Sequence, residues 1–225
     1  MNSSKDSLVK RMAYVVLLYF LAQMPLLFLT LIPNQQSILS SMMLAGAFFS
    51  GSAIVIYIAY RLTSKYTQRS ILQKVERRDI WYIVGGCVVS MIADSVLLAL
   101  NNLIYHQSDT PNNQMIQDSF MDASWMVTVL LIVQVVLIAP ITEELICRGV
   151  FFNLFFNPNR IVLRTLLSAV LFATGHATDT IVGFLLYAFS GIVFATVYSK
   201  TGKLQNAMAL HVVVNAIATG MILLP

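Results

Sequence analysis

Long apolar runs, each close to the length needed to cross a lipid bilayer, dominate this sequence. A helix rises 1.5 Å per residue, so about 20 apolar residues span the ~30 Å hydrocarbon core of a membrane. Several such runs follow one another, at residues 12–32, 38–60, 80–100, 125–156, 161–177, 180–198 and 204–224. We therefore expect an all-α fold, a polytopic membrane helix bundle of about seven transmembrane helices.

Composition agrees with lipid as the main solvent. Hydrophobic residues make up 58% of the 225-residue chain and charged residues only 11%, whereas a soluble domain carries about a quarter of its residues as charged side chains. These values exclude intrinsic disorder, a disulfide-rich scaffold and a nucleic-acid-binding module, so we expect no nucleic-acid partner. Cys87 and Cys147 both lie in apolar runs, where a lone cysteine acts as a small hydrophobe.

Basic residues mark one side of the membrane. If the N-terminus is cytoplasmic, the cytoplasmic connections hold the Lys and Arg residues of segments 61–78, 160–164 and 200–203, and the two longer outer connections, 33–37 and 101–124, hold none. This asymmetry follows the positive-inside rule. It predicts a multi-pass protein of the cell membrane, with the lipid bilayer as its main partner. We expect the basic connection 61–79 to rest on anionic lipid as an interfacial helix.

The fourth run differs from the others because it exceeds thirty residues and contains charges. Pro140 is followed closely by Glu143, Glu144 and Arg148. Proline lacks a backbone donor and kinks transmembrane helices, so we expect a bent or re-entrant helix here. The first half of the chain has no counterpart of this segment, which argues against a transporter built from inverted repeats.

Polar and ionisable side chains inside the last four runs are the candidates for function. An ionisable group costs roughly 2.5 to 3.5 kcal/mol to insert into a bilayer, so its presence there indicates a role. The candidates are Glu143, Glu144, Arg148, His176, His211 and Asn215.

Helical spacing relates these candidates to one another. Glu144 and Arg148 are four residues apart with the acid first, the favourable order for an ion pair. Glu143 is rotated by about 100° from Glu144 and has no such partner, so it is the candidate general base. His211 and Asn215 share a helix face, where an imidazole and an amide are suited to stabilise an oxyanion.

Four motifs occur in a fixed order on successive runs. They are Glu-Glu-x-x-x-Arg, Phe-x-x-x-His, an aromatic and glycine pattern from Tyr187 to Gly191 with Tyr198, and His-x-x-x-Asn. This combination resembles the CPBP family, also called Abi, of CAAX prenyl endopeptidases and bacteriocin-processing enzymes. The resemblance covers about residues 135–215.

The resemblance implies a membrane-embedded endopeptidase with its catalytic groups in a cavity among the last four helices. By this likeness Glu143 and His176 activate the attacking water, and the ion pair of the fourth run holds the site together. His211 and Asn215 would stabilise the oxyanion. Residues 125–225 would then be a catalytic four-helix core, and residues 1–124 a variable membrane segment of three helices and an outer loop.

The need for a metal stays open at this point. Members of the family are often described as metalloproteases, yet this sequence has neither His-Glu-x-x-His nor a cysteine cluster. Two histidines and one or two glutamates are enough to bind zinc, so zinc is an alternative to the metal-free glutamate chemistry that we favour.

The expected substrate is a membrane-associated peptide or protein: a leader peptide, pheromone precursor, bacteriocin or CAAX-like protein, in a bacterial host. The alternative function is non-enzymatic, a bacteriocin self-immunity or regulatory protein that binds a partner in the bilayer. A transporter is the third hypothesis. Asp94 is a further intramembrane acid, expected near the outer interface or in a polar pocket, and Gly191 with Ala195 is expected to serve close helix packing.

Overall fold

The computed structural model describes residues 6–35, 37–67, 70–121, 123–155 and 159–224. These residues form eight helices and no β-strand, and a short 3₁₀ turn, Ile32–Asn34, follows the first helix. The helices are α1 (Leu8–Leu31), α2 (Ile38–Tyr66), α3 (Arg77–Tyr105), α4 (Pro111–Met121), α5 (Trp125–Leu154), α6 (Ile161–Thr174), α7 (Ile181–Thr201) and α8 (Leu204–Leu223).

The expected all-α membrane bundle is confirmed. Within the described ranges, six helices are long and apolar enough to cross a membrane, namely α1, α2, α3, α5, α7 and α8. The fifth predicted span is the exception, because α6 has only 14 residues and reaches about 21 Å. Its run, 161–177, ends in a non-helical link that contains His176. The expectation of about seven spanning helices is therefore reduced to six.

The fourth predicted span forms one continuous helix, α5, and not a re-entrant turn. Two π-helical stretches, Gln134–Ile138 and Leu145–Phe151, flank the α-helical segment Ala139–Glu144 that contains Pro140. Proline and π-helical turns both leave backbone carbonyls without their usual helical donors. The irregularity expected at Pro140 therefore takes the form of two π-helical stretches within one continuous helix. The expected end of this run at Phe156, and the turn near Pro158, lie outside the described residues.

Helix α7 is the centre of the bundle. In its most apolar stretch 61% of the residues are buried, and the helix packs against α3, α6 and α8. A Cβ at Gly191 would lie 2.8 Å from the Cα of Ala169 on α6, so only glycine permits this approach. Ala195, one turn further along α7, is fully buried. The predicted close packing at these small residues is confirmed.

The basic connection between α2 and α3 is not an interfacial helix. Residues 70–76 are non-helical. Lys203, at the start of α8, binds the end of this connection and the first turn of α3: its Nζ lies 3.1 Å from Glu76 Oε1 and 2.7 Å from Asp79 Oδ2. The hydrogen bonds from Lys203 to Asp79 and to Glu76 raise the pKa of Lys203 above its ordinary value. Arg69, another basic residue of this connection, lies outside the described residues.

Gly191→Ala should destabilise the protein by about 1–3 kcal/mol, the usual range for overpacking, because its Cβ would meet backbone of α6. Thermal unfolding in detergent measures this effect. Gly85→Ala is the matched control, since a Cβ there meets no described heavy atom within 4 Å. Equal unfolding midpoints for the two variants would contradict the packing described for α7.

Candidate active site

Glu144 and Arg148 form an ion pair with both side chains fully buried. Arg148 Nη1 donates to Glu144 Oε1 at 2.7 Å, and Nη2 donates to the carbonyl of Gly191 at 2.7 Å. The guanidinium also lies 4.9 Å and 5.5 Å from the ring centroids of Phe172 and Phe194. These contacts offset the loss of hydration that burial imposes on the charges. The ion pair expected from the helical spacing is present.

His211 lies between the two glutamates. Its Nδ1 is 3.2 Å from Glu144 Oε1 and its Nε2 is 3.8 Å from Glu143 Oε2. The ring is stacked on Phe194, with centroids 4.5 Å apart. A carboxylate accepts hydrogen bonds, so Nδ1 donates to Glu144. The distance from Nε2 to Glu143 is longer than a hydrogen bond, which leaves these two groups facing each other without direct contact.

Glu143 differs from Glu144 in both burial and pairing. Its side chain is 30% exposed, whereas that of Glu144 is fully buried. Within the described part of the chain, Glu143 accepts no hydrogen bond, and its carboxylate lies 3.8 Å from Nε2 of His211. Glu143 is therefore the carboxylate that is open to a water molecule or a substrate.

His176 lies in the link between α6 and α7, where it contacts the ring of Phe172, which also contacts His211. Its Nδ1 is 2.9 Å from the carbonyl oxygen of Phe172. A carbonyl oxygen only accepts, so Nδ1 carries the proton and Nε2 of the neutral ring keeps its lone pair. The Glu143 carboxylate is near enough to act electrostatically on this ring. His176 thus presents an unprotonated nitrogen in the neighbourhood of the more exposed glutamate.

Asn215 connects α8 to the π-helical part of α5. Its Nδ2 donates to the backbone oxygen of Val135 at 2.9 Å. In this arrangement Asn215 bonds the backbone of α5, while both ring nitrogens of His211 face glutamates. The joint role of His211 and Asn215 at an oxyanion stays a prediction.

The first half of the chain also contributes to the walls of this region. Tyr19 on α1 donates its hydroxyl to the carbonyl of Leu171 at 3.0 Å and lies 3.2 Å from Cys147 Sγ. Thr63 on α2 donates to the carbonyl of Leu145. No sequence pattern indicates these residues, because a tyrosine or threonine in an apolar run has no distinctive spacing.

Tyr187 is a further contact that the sequence analysis did not place in the site. Its ring stacks on that of His176, with centroids 4.2 Å apart. The aromatic and glycine pattern that begins at Tyr187 was the available signal, but it did not indicate this partner. Asp94, in contrast, lies in the interior of α3, where Ser190 donates to it at 3.4 Å.

The possible metal ligands of this region are not arranged around a common point where an ion could bind. Among the described residues, no group of three or more His, Cys, Asp or Glu side chains is arranged to hold one, whereas a catalytic zinc typically has three protein ligands. Glu144 Oε1 already accepts a hydrogen bond from Arg148, and Nδ1 of His176 already donates to the Phe172 carbonyl. We therefore derive no chemical step through a metal.

Comparison with known proteins agrees with the motifs. Residues 124–217 match the family described as "Type II CAAX prenyl endopeptidase Rce1-like", a range that includes all six candidate residues. The chain is also 24% identical, over 178 residues, to the Bacillus subtilis (strain 168) protein named "Putative membrane peptidase YdiL"; the match covers 79% of this chain and 70% of that protein. No solved structure matches the chain.

Arg148→Met should destabilise the protein by about 3–5 kcal/mol, because it leaves a buried carboxylate without its cation. Adding Glu144→Gln should recover part of this loss, since the neutral amide needs no counter-charge and still accepts from His211. Unfolding in bicelles measures both variants. A double variant as unstable as Arg148→Met alone would contradict the ion-pair interpretation.

Proposed function

We propose that this chain is an endopeptidase of the CPBP family of CAAX-type membrane proteases and that it hydrolyses a peptide bond within the membrane, because residues 124–217 match the Rce1-like CAAX prenyl endopeptidase family. The observation that carries the proposal is the unequal pairing of the two glutamates around His211. Glu144 is neutralised by Arg148, while Glu143 accepts no hydrogen bond in the described structure and lies 3.8 Å from His211 Nε2.

In the proposed mechanism, Glu143 takes one proton from the attacking water, and His176 Nε2 orients that water by accepting a hydrogen bond from its other proton. A positioned base of this kind accelerates proton transfer by about 10²–10⁴-fold. The resulting hydroxide adds to the carbonyl carbon of the peptide bond. Glu143 then returns the proton to the departing amine, which restores the carboxylate for the next cycle.

The tetrahedral intermediate carries a negative charge on oxygen, which needs a donor. His211 can supply one through Nε2 when both of its ring nitrogens carry protons. Glu144, whose Oε1 lies 3.2 Å from Nδ1 of that ring, compensates its positive charge. Asn215 would contribute the second N–H of its amide, because its first N–H already bonds Val135.

The proposed substrate is a membrane-associated peptide or protein such as a leader peptide, pheromone precursor, bacteriocin or CAAX-like protein, in the cell membrane of a bacterium. An apolar bundle with its reactive groups on spanning helices favours a substrate that is already held at the bilayer. Diffusion in two dimensions then brings the scissile bond to the site without transfer through water.

Glu143→Gln should lower peptide hydrolysis at least 100-fold, because the amide cannot accept the proton from water. The assay uses the purified protein in liposomes with membrane-anchored peptides and detects products by mass spectrometry. Asp94→Asn is the matched control, since it neutralises an intramembrane acid outside the glutamate and histidine cluster, and should hydrolyse at the wild-type rate. Full activity of Glu143→Gln would contradict the assignment of Glu143 as the base, whereas absence of hydrolysis by the wild-type protein would favour a binding or self-immunity role.

Chelation should leave hydrolysis unchanged, because no group of three or more His, Cys, Asp or Glu side chains among the described residues is arranged to hold a metal ion. The measurement is the rate of cleavage by the reconstituted protein before and after treatment with a strong zinc chelator. Loss of activity that added zinc restores would contradict the metal-free mechanism.

A further inference from the structure

The first turn of α4 lies over His176, at the end of the bundle predicted to face outward. Asn112 N donates to the carbonyl of Ala177, the residue after His176, at 3.1 Å. Gln107 Nε2 donates to Asp179 Oδ2 at 2.9 Å, so the connection before α4 is also bound to the link between α6 and α7. The polar segment from Gln107 to Asn112, which is distant in sequence, therefore contacts the link at two residues, Ala177 and Asp179.

A second set of hydrogen bonds runs from α4 to Tyr187 on α7. The Tyr187 hydroxyl donates to Asn113 Oδ1 at 3.0 Å, and Thr110 donates to the Tyr187 oxygen at 2.7 Å. Thr110 Oγ1 in turn accepts from Asn113 N at 3.3 Å, which makes Thr110 the capping residue of α4. Thr110 is 1% exposed and Tyr187 7% exposed. The hydroxyl of Tyr187 is thus saturated by the first turn of α4.

The ring of Tyr187 restricts the orientation of the His176 ring. The two rings are stacked, with centroids 4.2 Å apart and planes 16° apart, and Phe172 contacts His176 with centroids 4.6 Å apart. The Phe172 carbonyl selects which nitrogen carries the proton. The two ring contacts restrict the tilt of His176, so together they determine where the Nε2 lone pair points.

We propose that Tyr187 is a positioning residue for His176, and that Thr110, at the start of α4, holds Tyr187 in the stacked position. The direction of the Nε2 lone pair is therefore set by an outer segment that contributes no reacting group. The catalytic part of this inference rests on the proposed function, because it takes His176 as the acceptor of a hydrogen bond from the attacking water. The structural part does not depend on it.

The kinetic test compares variants that remove one contact at a time. Thr110→Val removes the donor to Tyr187 at nearly constant volume, and Tyr187→Phe keeps the ring but loses its hydroxyl. Each should lower kcat about tenfold with KM within about twofold, since small errors of orientation slow the chemical step more than binding. Thr110→Ser, which keeps the hydroxyl, should restore kcat.

The spectroscopic test reads the His176 ring directly. The chain has three histidines, His106, His176 and His211, so ¹⁵N-histidine NMR of the protein in nanodiscs can be assigned with His106→Gln and His176→Gln. Wild type should show one His176 tautomer with Nδ1 protonated. Thr110→Val and Tyr187→Phe should show a mixture of tautomers or exchange broadening at His176, with the His211 signals unmoved.

Two results would overturn the proposal. One is an unchanged His176 tautomer in both variants while they unfold at the wild-type temperature. The other is an altered tautomer with no change in kcat. The NMR measurement needs no substrate, so it decides the structural part even if the wild-type protein hydrolyses no peptide, a result that would count against the proposed function alone.

Discussion

The buried ion pair between Glu144 and Arg148 is the interaction on which the rest of the site depends. An uncompensated charge in this bundle would be costly, so the pair forces its surroundings to supply polar and aromatic partners. The Gly191 carbonyl, the faces of Phe172 and Phe194 and the ring of His211 meet this need from three other helices. One pair of charges thereby fixes the relative positions of α5, α6, α7 and α8.

The same pair separates two chemically identical side chains that are adjacent in sequence. Glu144 Oε1 accepts from both Arg148 and His211, so this carboxylate also holds His211 in place. Glu143, which is rotated by about 100° from Glu144, keeps a carboxylate without a hydrogen bond in the described structure. The short helix α6 complements this arrangement, because its early end leaves His176 in a link, where its ring can face the cluster.

The sequence predicts the all-helical bundle, because long apolar runs are typical of membrane-spanning helices, and it singles out six candidate residues as polar groups against an apolar background, whose catalytic roles stay predictions. It predicts the ion pair because Glu144 and Arg148 are four residues apart on one helix. The sequence does not predict the early end of α6, since the apolar run continues through residue 177, nor the attachment of residues 70–76 to Lys203. The contact of Thr110 with Tyr187 joins residues far apart in the chain, and such contacts leave no periodic pattern in a single sequence.

The most direct test of the central claim, that Glu143 performs hydrolysis, is made in the native membrane. Cells that lack the protein are compared with cells rescued by wild type or by Glu143→Ala, at equal protein levels, and their membrane-associated and secreted peptides are measured by mass spectrometry. The account predicts that Glu143→Ala cells match the deletion and accumulate a longer precursor, which identifies the substrate. Glu143→Ala cells that match wild type, while the deletion differs, would contradict it.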